Sequence, residues 1–194
     1  VLARNPNFEP LNVYPPDSRI RRLSRPVGRL DVRFASGRFM TCTASVIGAD
    51  QLLTNHHCVP GTGRHGEVTD VSLLMGYYSE TDTAGVKRYR ARVRPLEANE
   101  GGDYAILQVD GRPGDAWGTV RLDPAAPRPG EPLLLVHHPA GRPKHVTRGN
   151  CRAGRPIPVR DGELLHKCDT LPGSSGAPIF SADSDGALAL HYAG

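Results

Sequence analysis

The chain has 194 residues, a formal net charge of +4, 22 Gly and 18 Pro, and only 6% aromatic residues. That length suits one domain or two small ones sharing a core. The modest charge does not point to nucleic acid, and no apolar run approaches the roughly twenty residues of a membrane-spanning helix.

No segment keeps a helical period. Short runs of Val, Ile, Leu, Thr and Tyr lie between Gly, Pro and Asp breaks, which predicts an all-β fold of sandwich or barrel type. Residues 1–26 read as an irregular N-terminal arm, broken by Pro6, Pro10, Pro15, Pro16 and Pro26. Its basic cluster, Arg19, Arg21, Arg22 and Arg25, reads as solvated. Strands are expected at 27–34, 39–47, 51–54 and 71–77, with a turn at Gly48-Ala49-Asp50. Residues 87–94 alternate, with Arg88, Arg90, Arg92 and Arg94 on one face and Tyr89, Ala91 and Val93 on the other. That is the pattern of a half-buried strand.

Gly101-Gly102 opens a buried strand over 103–109 that carries a carboxylate, Asp103, at its start. The Pro/Gly/Asp-rich stretch 111–131 reads as the connection between two halves. Further strands are expected at 132–138, 144–148, 162–169, 178–180 and 187–192. The four cysteines fall as Cys42/Cys58 and Cys151/Cys168, one close pair in each half. Two local disulfides is the economical reading, though three connectivities are open to four cysteines.

The stretch Leu171-Pro172-Gly173-Ser174-Ser175-Gly176-Ala177-Pro178 reads as a tight turn carrying an exposed hydroxyl. The amides of Gly173 and Ser175 are placed to converge on one oxyanion. A serine nucleophile needs a base, and the base needs an orienting carboxylate. His57 follows Leu52-Leu53-Thr54, Asp103 precedes Tyr104-Ala105-Ile106-Leu107, and Ser175 precedes Pro178-Ile179-Phe180. Each sits where a strand hands over to a loop. The neighbouring pairs His56/His57 and His137/His138 do not make a metal site, because adjacent side chains on an extended segment point apart. No C-x-x-C is present for zinc, and no metal or cofactor is expected.

Thr54-Asn55-His56-His57-Cys58 resembles the T-A-A-H-C box of chymotrypsin-like serine proteases. Gly102-Asp103-Tyr104-Ala105-Ile106-Leu107 resembles their D-[IL]-A-[LV] box, and Gly173-Ser174-Ser175-Gly176-Ala177-Pro178 their G-D-S-G-G-P box. The order His, Asp, Ser is the family's. The resemblance implies two packed antiparallel β-barrels, 27–115 carrying His57 and Asp103 and 116–194 carrying Ser175, with the active site between them. It also implies a Cys42–Cys58 bridge, which in the chain-entropy model stabilises by about 3 kcal/mol. Protein or peptide substrates follow. A protease fold that binds peptides or partners without cutting them is the alternative.

Within the family the chain is most similar to the bacterial branch that includes glutamyl endopeptidases, through His138-Pro139-Ala140-Gly141-Arg142-Pro143-Lys144, Asp169-Thr170-Leu171-Pro172 and Leu190-His191-Tyr192-Ala193-Gly194. That branch implies an acidic P1 side chain received by Thr170 and His191, with Gly194 on the same closing segment. Asp169, six residues before Ser175, carries the competing basic-P1 reading. Ser174 stands where the animal digestive enzymes hold an Asp that pairs with a freshly cut N-terminus, so activation through that ion pair is not expected. Paired cysteines favour a secreted or periplasmic setting, and reduced ones a cytoplasmic one.

Overall fold

A computed structural model describes residues 6–63 and 65–193. In chain order its strands are β1 (Phe8–Pro10), β2 (Val27–Phe34), β3 (Phe39–Val46), β4 (Gln51–Thr54), β5 (Thr62–Gly63), β6 (Gly66–Met75), β7 (Lys87–Ala91), β8 (Glu97–Asn99) and β9 (Tyr104–Gln108). They continue with β10 (Arg121–Leu122), β11 (Leu133–His137), β12 (His145–Thr147), β13 (Val159–Arg160), β14 (Glu163–Leu164), β15 (Pro178–Ser181) and β16 (Gly186–Leu190). Two short helices interrupt them, α1 (Arg19–Ser24) and α2 (Pro113–Trp117). The fold is all-β, as expected, and the strands read at 27–34 and 51–54 appear with those bounds.

The first sheet runs β5-β6-β2-β3-β4-β9-β8, with β7 added beside β6. A bridge between Ala91 and Val109 joins the end of β7 to the chain just beyond β9, so the sheet curls back on itself. Its interior is filled by Leu30, Val32, Ala44, Leu52, Leu73 and Leu107, all fully buried. Each Leu and Val among them contributes about 1.5–3 kcal/mol by leaving water. Period-two alternation explains the face chosen: Leu30 and Val32 point in while Arg29 and Arg33 point out.

The second sheet runs β1-β12-β11-β15-β16-β10. β11 is buried on both faces. Leu133 and Leu135 pack with Ile179 and Cys151 on one side, and Leu134 and Val136 pack with Phe180 on the other. The second cluster also takes Leu11, Val27, Ile20 and Leu23, so the segment before β2 roofs that face.

That segment departs from its reading as an irregular, solvated arm. β1 pairs antiparallel with β12. α1 starts at an N-cap, Ser18, whose hydroxyl accepts from Arg21 N. Arg19 donates to the carbonyls of Ala182 and Ser184 and pairs with Asp185. Arg21 donates to the carbonyls of Leu11 and Tyr14. These two guanidiniums cap backbone carbonyls and dock the segment, while Arg22 and Arg25 stay exposed.

The strand expected over 162–169 shortens to a two-residue hairpin arm, β14. The chain beyond it is held by single contacts instead: an Ala153–His166 bridge and a Lys167 N–H bond to Arg152 O. Both cysteine pairs are disulfides, Cys42–Cys58 and Cys151–Cys168.

Candidate active site

The first sheet supplies a histidine and a carboxylate. β4 ends at Thr54, and the chain closes a 3-10 turn at His56–Cys58 that is pinned to β3 by the Cys42–Cys58 bridge. β4 and β9 are paired, Thr54 opposite Ala105, which brings Asp103 beside this turn. Asp103 has a left-handed backbone, φ 46°. Asn55, itself buried, donates from Nδ2 to the Asp103 carbonyl at 2.8 Å.

The carboxylate then takes two hydrogen bonds from one residue, His57 N at 2.9 Å and His57 Nδ1 at 2.7 Å. A carboxylate only accepts, so Nδ1 carries a proton, and the neutral ring has its lone pair on Nε2. The His57 side chain is 44% exposed and that of Asp103 20%. Cys42, Cys58 and His57 lie close together, but both sulfurs are spent in the disulfide and offer no thiolate to a metal.

The second sheet supplies the serine turn. Gly176 has φ +86°, and a Cβ there would sit 2.0 Å from Thr43 O. Only glycine lets the turn approach β3 this closely. Thr43 fastens it twice: its N–H donates to Ser175 O at 2.7 Å and its hydroxyl to Gly173 O at 2.8 Å. Ser175 is thereby tied to the residue next to Cys42, whose sulfur lies within 4.8 Å of a His57 ring nitrogen.

The amides of the turn divide into two sets. Ser174 N–H donates to Leu171 O, Gly176 N–H to His191 O and Ala177 N–H to Ser174 O. The amides of Gly173 and Ser175 bond nothing among the described residues. Pro172 O accepts from Ala140 N at 2.6 Å, and in a trans peptide the N–H of Gly173 points the opposite way, out of that contact. Among the described residues, neither His57 Nε2 nor the Ser175 hydroxyl is hydrogen-bonded, to each other or elsewhere. Such contacts commonly tighten only around a substrate.

Beside Ser175 a cleft of about 750 Å³ is lined by Thr170, Ser175, His191, Asp169, His166 and Tyr192. His166 Nε2 and His191 Nδ1 lie 3.1 Å apart. Burial pushes the His191 imidazolium down to about 4, helped by His166 and His57 nearby, and burial also lowers His166. Asp169 also lines the cleft, but its carboxylate accepts from the backbone and side-chain nitrogens of Asn7. Tyr192 OH donates to Glu163 across the same cleft. Gly194 lies outside the described residues. His138, read from sequence as part of a family motif, is fully buried, with Nδ1 donating to Arg142 O.

His166, Asn55 and His137 were not singled out for this site by the sequence reading. Asn55 lies within the histidine box but bonds Asp103 48 residues on, and His166 and His137 bond His191 and Ser174 across 25 and 37 residues, with no local pattern to mark them.

A family model described as "Trypsin-like peptidase domain" matches residues 42–189. The chain belongs to that family, and its fold is chymotrypsin-like. Among curated relatives, a glutamyl endopeptidase of Staphylococcus epidermidis is 24% identical over 164 residues, covering 81% of this chain and 56% of the relative. The secreted RxLR effector protein 73 of Plasmopara viticola is 26% identical over 194 residues, covering 89% of this chain and 46% of the relative. The chain thus spans about half the length of these curated relatives. A solved Glu endopeptidase structure superposes with a TM-score of 0.74 at 18% identity, covering 100% of this chain and 88% of that one, a likeness of fold.

Proposed function

We propose that the chain is a serine endopeptidase working through Ser175, His57 and Asp103, with a preference for Glu at P1. The observation that carries this is the two-bond clamp of Asp103 on His57, together with a turn, bonded to β3 at Thr43, whose Gly173 and Ser175 amides are unspent. Ser175 Oγ attacks the scissile carbonyl as His57 Nε2 takes its proton. Asp103 holds the ring and stabilises the imidazolium. The carbonyl oxygen, now anionic, is received by the two amides. His57 then hands its proton to the leaving amine, and an acyl-enzyme remains on Ser175. Water, deprotonated by the same Nε2, releases the acid and restores the serine.

Three features support an acidic P1. His191 and Thr170 line the cleft as hydrogen-bond donors. His166 Nδ1 accepts from Cys168 N at 3.1 Å, so its ring proton lies on Nε2 and goes to His191 Nδ1, which leaves Nε2–H as the donor of His191. The carboxylate of Asp169, which a Lys or Arg side chain would need, is occupied by Asn7. A Glu carboxylate against His191 would accept from its Nε2–H. Secretion is proposed on the two disulfides and on the secreted relative.

The test joins a fluorophosphonate probe with a peptide-library digest. Wild type is expected to be labelled on Ser175 and to cut after Glu, while Ser175→Ala does neither. Tight peptide binding with no cleavage and no label would replace this reading with a silent peptide-binding module.

A further inference from the structure

Behind the serine turn, His137 at the end of β11 is fully buried. Its Nδ1 lies 2.7 Å from Ser174 Oγ and its Nε2 2.9 Å from Thr147 Oγ1. Ser174 Oγ also accepts from Leu171 N at 3.2 Å, and Thr147 Oγ1 donates to Asp169 O at 3.1 Å. Ser174, Thr147 and His137 are all closed to solvent.

The proton count allows one direction. A backbone carbonyl only accepts, so the single hydroxyl proton of Thr147 goes to Asp169 O. Thr147 Oγ1 must then accept from His137 Nε2–H. Burial, with the His145 and His191 rings nearby, holds His137 well below the usual imidazole range, so it carries one ring proton. Nδ1 is therefore an acceptor, and Ser174 Oγ–H donates to it. The chain reads Leu171 N–H to Ser174 O–H to His137 N–H to Thr147 O–H to Asp169 O. The opposite direction would leave the Ser174 hydroxyl proton and the Asp169 carbonyl without partners in a dry site, at about 1–3 kcal/mol each.

Both ends of this chain fall on the segment 169–174, the one that aims the Gly173 and Ser175 amides. We infer that His137 is a positioning residue, which with Thr147 staples the oxyanion turn in its working shape through Ser174 Oγ–H. Phe8 on β1 packs edge-on against the ring at 5.1 Å, and Asn7 holds the Asp169 carboxylate. The N-terminal strand thus seals the staple with an apolar lid and neutral donors. A carboxylate in place of Ser174 has no proton to give Nδ1, so the staple requires a hydroxyl at that position.

The inference rests on the endopeptidase reading for its kinetic test. We expect His137→Phe and Ser174→Ala each to lower kcat about 10²-fold, the scale of a reacting group misplaced by about 1 Å. KM for the best library peptide should hold, and affinity for a peptide boronic acid, which needs the oxyanion amides, should fall in parallel with kcat. The double variant should lose no more than the worse single one. Single variants within about threefold of wild type, or losses that multiply in the double variant, overturn the staple.

A spectrum separates the two readings. If wild type neither cuts nor labels, the endopeptidase reading fails, and the staple is judged by ¹⁵N shifts of the His137 ring. An Nε2–H tautomer whose Nδ1 resonance moves in Ser174→Ala supports it, and an Nδ1–H tautomer or an unmoved resonance overturns it.

Discussion

His57 and His137 are the two histidines of the candidate site, and they are held in opposite ways. His57 is nearly half exposed, fixed at one nitrogen by Asp103, and open at the other. His137 is sealed, with both nitrogens engaged. The contrast separates two jobs. A base must gain and lose a proton in each turnover, so it keeps a free lone pair and a path to water. A staple must never change charge, so burial locks it neutral and every polar atom is satisfied. On the proposed reading the two halves repeat the contrast: the first sheet offers the groups that would move protons, and the second the amides that would stay still.

Removing the moving side should cost most. Ser175→Ala is expected to lower kcat about 10⁶-fold, by analogy with triad knock-outs in an unrelated serine protease. Its circular dichroism and melting temperature should match wild type, because Ser175 Oγ bonds nothing among the described residues. Asp103→Asn comes next. The amide cannot accept from both His57 N–H groups as the carboxylate does, the ring is free to take the wrong tautomer, and kcat should fall about 10⁴-fold. A loss below about tenfold would mean that another group orients His57.

His191→Val tests the cleft rather than the chemistry. The kcat/KM ratio of a Glu peptide over its Gln twin should shrink about ten- to a hundredfold, the worth of one hydrogen bond to a charge. Cleavage of Leu peptides should change little. An unchanged Glu/Gln ratio would move the acidic-P1 assignment away from His191.

The legible part of this site was local and the illegible part was not. Thr54-Asn55-His56-His57-Cys58 and Gly173-Ser174-Ser175-Gly176 announce themselves because a strand end, a tight turn and a nucleophile must be contiguous. The 27–34 strand was legible for the same reason, since alternation is a nearest-neighbour property. His137 and Thr147 carry no such mark. Inside β11 and β12 they look like ordinary strand residues, and only the pairing of Val136 with Val146 brings them together. The N-terminal segment was misread because its five prolines break ladders and hide what Ser18 signals, a cap for one short helix. The helix at Pro113–Trp117 carried its own start and stop, Pro113 at the first turn and Gly118 just after the end, inside a stretch read only as a connection.

A change in stability, with no effect on the chemistry, is the cleanest check on what burial does to charge in this fold. Lys144 is fully buried, its Nζ donating to Ser24 O at 2.8 Å and lying 4.6 Å from the Tyr78 ring centroid. It joins α1 to the second sheet, and its carbonyl accepts from Leu11 N. Burial, aided by the Arg21 charge, pushes its ammonium down to about 7. In the unfolded chain a lysine titrates near 10.4. Between those values the unfolded state holds more protons, so unfolding free energy rises with pH, by at most about 1.4 kcal/mol per pH unit. Below pH 7 the lysine is charged in both states and the native state bears the whole desolvation cost. Lys144→Met keeps the volume and removes the titration. Subtracting its denaturation curves from those of wild type cancels every other group, and the difference should climb from pH 7 to pH 10. A flat difference would show Lys144 charged throughout, with the Ser24 carbonyl and the Tyr78 ring solvating its ammonium as well as water does.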